Sequence, residues 1–156
     1  MSEIMFKLGI LYSTIAVIQP KENLNDWNDI HVNQGFSWRV TSVSFGTLSD
    51  EPECEVNVNI SDKVIINENA IRVIAVPFLV GSDGIEVISI ADSQPIDIEE
   101  GMYELVFSSI PATENNGIDK YEFIFIKNNN PIPKIIKADE GINPPEELLM
   151  EAYPAI

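Results

Sequence analysis

The stretch EVNVNI at residues 55–60 sets Val56, Val58 and Ile60 in strict alternation with Glu55, Asn57 and Asn59. Successive side chains of a strand point to opposite faces, so this pattern predicts a β-strand with one dry face and one wet face. The same period of two recurs on either side of it. Tyr103, Leu105 and Phe107 form a second row, and Tyr121, Phe123 and Phe125 form a third. Ile124 and Ile126 fill the intervening positions of the third row, which predicts a strand buried on both faces and central in its sheet. Residues 70–80, AIRVIAVPFLV, are rich in β-branched side chains, and the GSDG at 81–84 is expected to fold them back onto residues 85–90 as a hairpin. Pro77 has no N–H to give to a ladder and therefore sends the second half of its strand to an edge or a bulge.

Two more strands are expected nearer the N-terminus, at residues 7–19 with a break in the middle, and at residues 36–45. In the latter, Phe36, Trp38 and Val40 share one parity while Val43 and Phe45 have the other, and a bulge near Thr41 or Ser42 would reconcile them. Between these strands NLNDWNDIHVNQG, residues 23–35, has Asn and Asp at its start and Gly35 past its last turn, as a short capped helix would. QPIDIEEG at 94–101 reads as a short strand at Ile96 and Ile98 followed by a turn. Short strands at regular spacing with few helices predict an all-β antiparallel β-sandwich, of about seven to nine strands. Its expected core is Leu11, Phe36, Trp38, Val40, Val56, Val58, Val73, Val87, Leu105, Phe107, Phe123 and Phe125. Residues 1–128 would form the sandwich. Residues 129–156 would form an extension packed on or beside it: a turn in NNNPIP, an edge strand in PKIIKAD, and a short helical arm in PPEELLMEAY, where Pro suits the first helical position.

Asp and Glu number 25 against 9 Lys and Arg, a formal net charge of −16, while 45% of residues are hydrophobic. That hydrophobic share is too high for a disordered chain, and the charge would repel both nucleic acid and anionic membranes. With one cysteine, Cys54, and one histidine, His31, disulfide scaffolds and structural zinc modules are excluded. A Ser/His or Cys/His catalytic pair would have to run through His31 alone. Its plainer reading is an exposed polar residue in a short helix or turn. The N-terminal MSEIMFKLGILYSTIAVIQP is apolar, but Glu3 cancels the charge a signal peptide needs and Ser13 and Thr14 interrupt the run, so a core strand is expected. No run approaches the roughly 18 apolar residues that cross a bilayer. A soluble cytoplasmic protein without membrane insertion is the expectation.

Acid clusters are the main polar feature. They are Asp50, Glu51, Glu53 and Glu55 in SDEPECE at 49–55, then Asp97, Glu99 and Glu100, then Glu114, Asp119 and Glu122. None has the alternating Asp/Asn and Gly spacing of a calcium loop, although sandwich loops can converge on an ion from separate parts of a chain. A glycosidase pair would need two carboxylates facing across a cleft, which such turns do not promise. GSDG is a turn and not a phosphate loop, so no cofactor and no metal are expected. The clusters then read either as solvated loops or as a docking surface for a basic partner. Trp38 sits in an apolar row and reads as core. Trp27, between Asp26 and Asp29, reads as core or as a partly exposed anchor of the kind enriched in interfaces.

Taken in order, DWND at 26–29, GFSWRVTSVSF at 35–45, VPFLVGSDGIEVISI at 76–90 and IDIEEGMYELVFSSIPA at 96–112 resemble the bacterial competence protein J family over roughly residues 8–127. Members of that family are known as inhibitors of the DNA-entry nuclease. The resemblance implies a non-enzymatic protein that binds a basic nuclease, for which an acidic surface is suited because nuclease clefts must hold phosphates. SDEPECE looks like a longer acidic loop than the family's, and the chain after about Lys127 looks additional. An immunity protein against another nuclease toxin therefore stays open, as does a calcium- or carbohydrate-dependent binding module on the same sandwich. The loops expected to meet the nuclease are the one with Asp26, Trp27 and Asp29 and the one with Asp50, Glu51 and Glu53; the oligomeric state is left open.

Overall fold

The computed structural model describes residues 2–90, 92–113 and 117–155. Along these run β1 (Ser2–Ile10), β2 (Thr14–Ile18), α1 (Asp29–Gln34), β3 (Phe36–Arg39), β4 (Ser42–Gly46) and β5 (Glu51–Ser61). They are followed by β6 (Arg72–Val80), β7 (Ile85–Ile88), β8 (Ser93–Ile96), β9 (Gly101–Ile110), β10 (Lys120–Lys127) and β11 (Lys134–Lys137). One sheet has six strands in the order β1-β5-β10-β9-β6-β11, and the other has five in the order β3-β4-β2-β7-β8. The all-β sandwich is as expected from the sequence. Among the described residues its strand pairings are antiparallel save one, β10 with β5, which is parallel.

The strands outnumber the expected seven to nine because two predicted strands are each a pair. Residues 7–19 break at Leu11, Tyr12 and Ser13, and the two halves part: β1 joins the six-stranded sheet and β2 the five-stranded one. Residues 36–45 are a hairpin. Phe36 lies opposite Phe45 and Trp38 opposite Val43, with the reversal at Val40 and Thr41. The parity change is thus a change of direction and not a bulge. The reverse correction applies to residues 70–90. Gly81 and Gly84 do form a bridged turn, but β6 and β7 belong to different sheets, so the turn carries the chain from one layer to the other. Beyond Val73–Ala75, where β11 pairs, no described strand joins the outer side of β6, which is where Pro77 falls; Leu79 there donates to the Val40 carbonyl and accepts from the Gln19 amide. The Pro77 carbonyl accepts the Trp38 indole N–H at 2.7 Å.

Between the sheets lies an aromatic core. Phe45 of the smaller sheet stacks on Phe107 of the larger at 4.3 Å, and Phe107 stacks in turn on Tyr121 at 5.7 Å. Phe78 and Tyr103 meet Phe125 edge-on. Phe36, Val56, Val58, Val87, Leu105, Phe107, Phe123 and Phe125 are all buried there as expected. Four residues are not. Leu11 is 47% exposed on the turn between β1 and β2. Trp38 and Val40 are half-buried, Trp38 because its ring reaches out to Pro77 and Val40 because it sits in the hairpin turn. Val73 is buried, but in a second apolar cluster with Ala75, Val106, Ile124 and Ile126, which Ile66 packs against. This outer cluster is why β10 is apolar at consecutive positions.

Residues 144–153 form no helix. The chain after β11 runs as an irregular strap along α1, and its backbone groups are taken by other elements. Gln34 donates from Nε2 to the Leu149 carbonyl (3.0 Å) and accepts the Leu149 N–H at Oε1 (2.9 Å), as a neighbouring strand would. Asp26 N–H donates to the Tyr153 carbonyl, and Ala155 N–H to that of Leu24. A helix would need those same donors and acceptors for itself. Among the described residues no helix is long and apolar enough to cross a membrane.

Candidate partner-binding site

The turn between β1 and β2 has an unusual backbone. Tyr12 and Ser13 have φ of 60° and 53°, the left-handed region that bulky side chains avoid. The conformation is held from two directions. Thr47 N–H donates to the Ser13 carbonyl at 2.8 Å, and the Ser13 N–H and hydroxyl both donate to Asp50 Oδ1, at 2.6 and 2.9 Å. Asp50 is therefore a clamp as well as a charge, and what it clamps is a loop that leaves Leu11 and Tyr12 exposed.

Beside this turn stands α1. Asn28 caps it, accepting from the N–H groups of Ile30 and His31, while His31 Nδ1 accepts the Asn28 N–H at 3.0 Å. With Nδ1 an acceptor, the imidazole proton sits on Nε2 and donates to the Glu151 carbonyl at 2.9 Å. His31 is almost fully buried and not an exposed polar residue, because both of its nitrogens serve to join the helix start to the strap. Gly35 ends the helix with φ of 90°, a conformation that suits glycine. Trp27 precedes the cap, half-buried, and meets the His31 ring edge-on at 6.2 Å. Asp29, in the first turn, is exposed where the helix dipole favours negative charge. Asp26 is exposed too and accepts the Tyr153 N–H.

Turn, helix and strap together enclose a groove of about 560 Å³. Tyr12, Leu24, Trp27, Val32 and Ile90 contribute its apolar sides, and Gly141, Ile142 and Ala155 of the strap supply another wall. Arg72 also lines it. The guanidinium is engaged: Nε and Nη2 donate to the two carboxylate oxygens of Asp139 at 2.7 and 3.0 Å, and Nη1 donates to the Gly46 carbonyl. Burial pushes the Asp139 carboxyl up, but the hydrogen bonds and charge of Arg72 outweigh it and leave Asp139 below the usual carboxylate range. The strap passes close here at a glycine, and a Cβ on Gly141 would stand 2.6 Å from Arg72 Nη2 and push the guanidinium aside.

Of the residues expected to meet a partner, Trp27 lines this groove, Asp26 lies between two lining residues in the chain, Asp29 opens the helix whose Val32 lines it, and Asp50 holds the lining residue Ser13. Glu51 and Glu53 are not in a loop. They open β5, and Glu53 forms an exposed ion pair with Lys7 of β1 at 2.9 Å; the Glu51 side chain lies outside the described part of the structure. Several of the other acids have structural partners. Glu55 and Glu122 flank Lys120, and Glu99 pairs with Lys127. Asp119 is buried, accepting from Ala112 N–H and the Ser49 hydroxyl. Glu114 lies outside the described residues. Among the described residues no three His, Cys, Asp or Glu side chains gather as metal ligands would.

Sequence reasoning did not find Tyr12, Val32, Ile90 or the Arg72–Asp139 pair. Two signals for them exist. Tyr12 sits in the break of residues 7–19, and Arg72 is a lone charge within the apolar run AIRVIAV.

No curated protein matches the chain. Among solved structures it is similar to the crystal structure of ComJ, inhibitor of the DNA degrading activity of NucA, from Bacillus subtilis. The likeness has a TM-score of 0.70 at 21% sequence identity and covers 80% of this chain and 96% of that one. At that identity it speaks for the fold. The family model for competence protein J matches residues 7–126, well over half of the 156. This chain belongs to the competence protein J family.

Proposed function

We propose that this protein is a nuclease inhibitor that acts by binding its enzyme, and that the end of the sandwich bearing Trp27, Asp26, Asp29 and Asp50 is the surface that meets it. Family membership carries the reading, since the B. subtilis protein of like fold inhibits the DNA-degrading activity of NucA. The site's chemistry supports it. The single histidine has both ring nitrogens in structural hydrogen bonds, which leaves it unsuited to general base work. The candidate surface instead offers exposed carboxylates on a rigid scaffold beside an aromatic ring. Carboxylates so placed compete with DNA phosphates for a basic cleft and speed association. We place the protein in the cytoplasm.

In a DNA-degradation assay, the purified protein is expected to cleave no DNA itself and to inhibit, stoichiometrically, either NucA or the nuclease encoded beside it. Asp26→Asn together with Asp29→Asn is expected to slow association about 3- to 10-fold at low salt, and less at high salt, where exposed charges are screened. Asparagine at position 26 still accepts the Tyr153 N–H, so the strap stays docked. The pair Glu51→Gln and Glu53→Gln should leave the rate within about twofold, as exposed charges remote from the contact are largely screened. If the second pair slows binding and the first does not, the contact lies on the outer face of the larger sheet.

A further inference from the structure

Resting on the inhibitor reading, we propose that the groove between Tyr12, Trp27 and the strap is an anchor pocket that takes one apolar side chain from a lysine- or arginine-rich segment of the nuclease. Its walls are unusually wet for their chemistry: Tyr12 is 75% exposed, Val32 60% and Ile90 56%, and all three line the same cavity. Scattered exposed apolar residues need no explanation, but several around one concave site mark a place that something covers. Tyr12 adds a second observation. A tyrosine held at φ of 60° costs stability, and here two separate contacts on the next residue, Ser13, from Thr47 and Asp50, keep the turn in that conformation. Asp50 is in this sense a positioning residue for the Tyr12 ring.

Charge decides what the occupant carries beside its apolar group. Arg72, the cation among the lining residues, is neutralised by Asp139, so the floor of the groove offers no charge to an anion. The exposed carboxylates nearby are Asp26 and Asp29, flanking Trp27, and Asp50, bonded to Ser13. A neutral apolar floor inside an acidic rim complements an apolar side chain between basic ones. One wall comes from Gly141, Ile142 and Ala155, which fall outside the residues 7–126 that match the family model. The strap therefore shapes the pocket in a way that the family's common core does not, and it is placed to select which nuclease this chain accepts.

The test compares wild type with Tyr12→Gly, Val32→Lys and, as a remote exposed control, Ile132→Lys, each assayed for nuclease inhibition and for thermal stability. Wild type must first inhibit NucA or the nuclease encoded beside it; if it inhibits neither, the function proposed above fails and this inference with it. Given inhibition, Tyr12→Gly and Val32→Lys are each expected to weaken it about 30-fold, the hot-spot threshold converted to affinity. Tyr12→Gly should at the same time keep or raise the melting temperature, because glycine takes φ of 60° without a Cβ clash. That combination separates a lost contact from a damaged fold. Inhibition unchanged in both groove variants, or weakened equally by Ile132→Lys, overturns the anchor pocket and leaves the inhibitor reading intact. So does a wild-type dimer that Val32→Lys turns into a monomer, since the occupant would then be a second copy of this chain.

Discussion

A Phe107→Ala protein is expected to unfold about 3–5 kcal/mol more easily than wild type. Phe107 is fully buried, stacks on Phe45 of the opposite sheet and on Tyr121 of its own, and lies 5.2 Å from Phe123, so it touches both layers at once. Truncating it removes the transfer free energy of the ring and leaves a cavity that strands tied into ladders on both sides cannot collapse to fill. Against a usual domain stability of about 5–15 kcal/mol the loss is large. Urea denaturation would read it as a lower midpoint at similar slope. Phe107→Leu should lose less, because most of the volume stays. A loss under about 1 kcal/mol for the alanine variant would mean that this ring does not join the two sheets.

Asp139→Ala is the second large effect, at about 3 kcal/mol. The side chains of Arg72 and Asp139 are 6% and 14% exposed, and removing the carboxylate strands a buried guanidinium whose fork it fills. The value belongs at the lower end of the range for broken buried pairs because Nη1 still donates to the Gly46 carbonyl. Replacing both partners, with Arg72→Met added, should recover part of the loss, since no buried charge is then left alone. A double variant as unstable as the single one would show that packing and not charge sets the cost. The pair also gives a pH dependence. The folded carboxyl titrates below its ordinary value of 3.8, so its stabilisation is complete above that value and is lost as pH falls through the lower folded one. Asp139→Ala should accordingly lose less stability on acidification than wild type.

The sequence made legible whatever depended on local alternation. EVNVNI, the aromatic rows of Tyr103–Leu105–Phe107 and Tyr121–Phe123–Phe125, and the end of the short helix at Gly35 all lie where the pattern puts them, whereas the helix starts only after Asn28, well inside the 23–35 segment. The change of direction at Val40 and Thr41 was not legible, because a bulge and a two-residue reversal both switch parity. Which sheet each strand joins was not legible either. GSDG turns the chain in the same way whether its flanking strands pair with one another or separate into two layers. The strap was misread because its helical composition is a local property, whereas the Gln34 amide and the His31 imidazole that hold it extended come from more than a hundred residues away. At the candidate site the acids were visible as composition, but composition cannot distinguish Asp50, which clamps a turn, from Glu53, which sits along a strand.

The parallel pairing of β10 with β5 bears on how the protein comes into being. β10 inserts between β5 and β9, so a central strand of the larger sheet is synthesised only after both of the strands that flank it. Until it is made, β1 and β5 can pair only with each other, and β9 and β6 likewise, each couple showing an uncovered edge. Such late, non-local closure slows folding and exposes intermediates to aggregation. A chain interrupted before residue 120 cannot complete this sheet, and Phe107, Phe45 and the turn that presents Tyr12 would have no finished layer to rest on. Binding competence therefore waits for β10 and then arrives almost all at once.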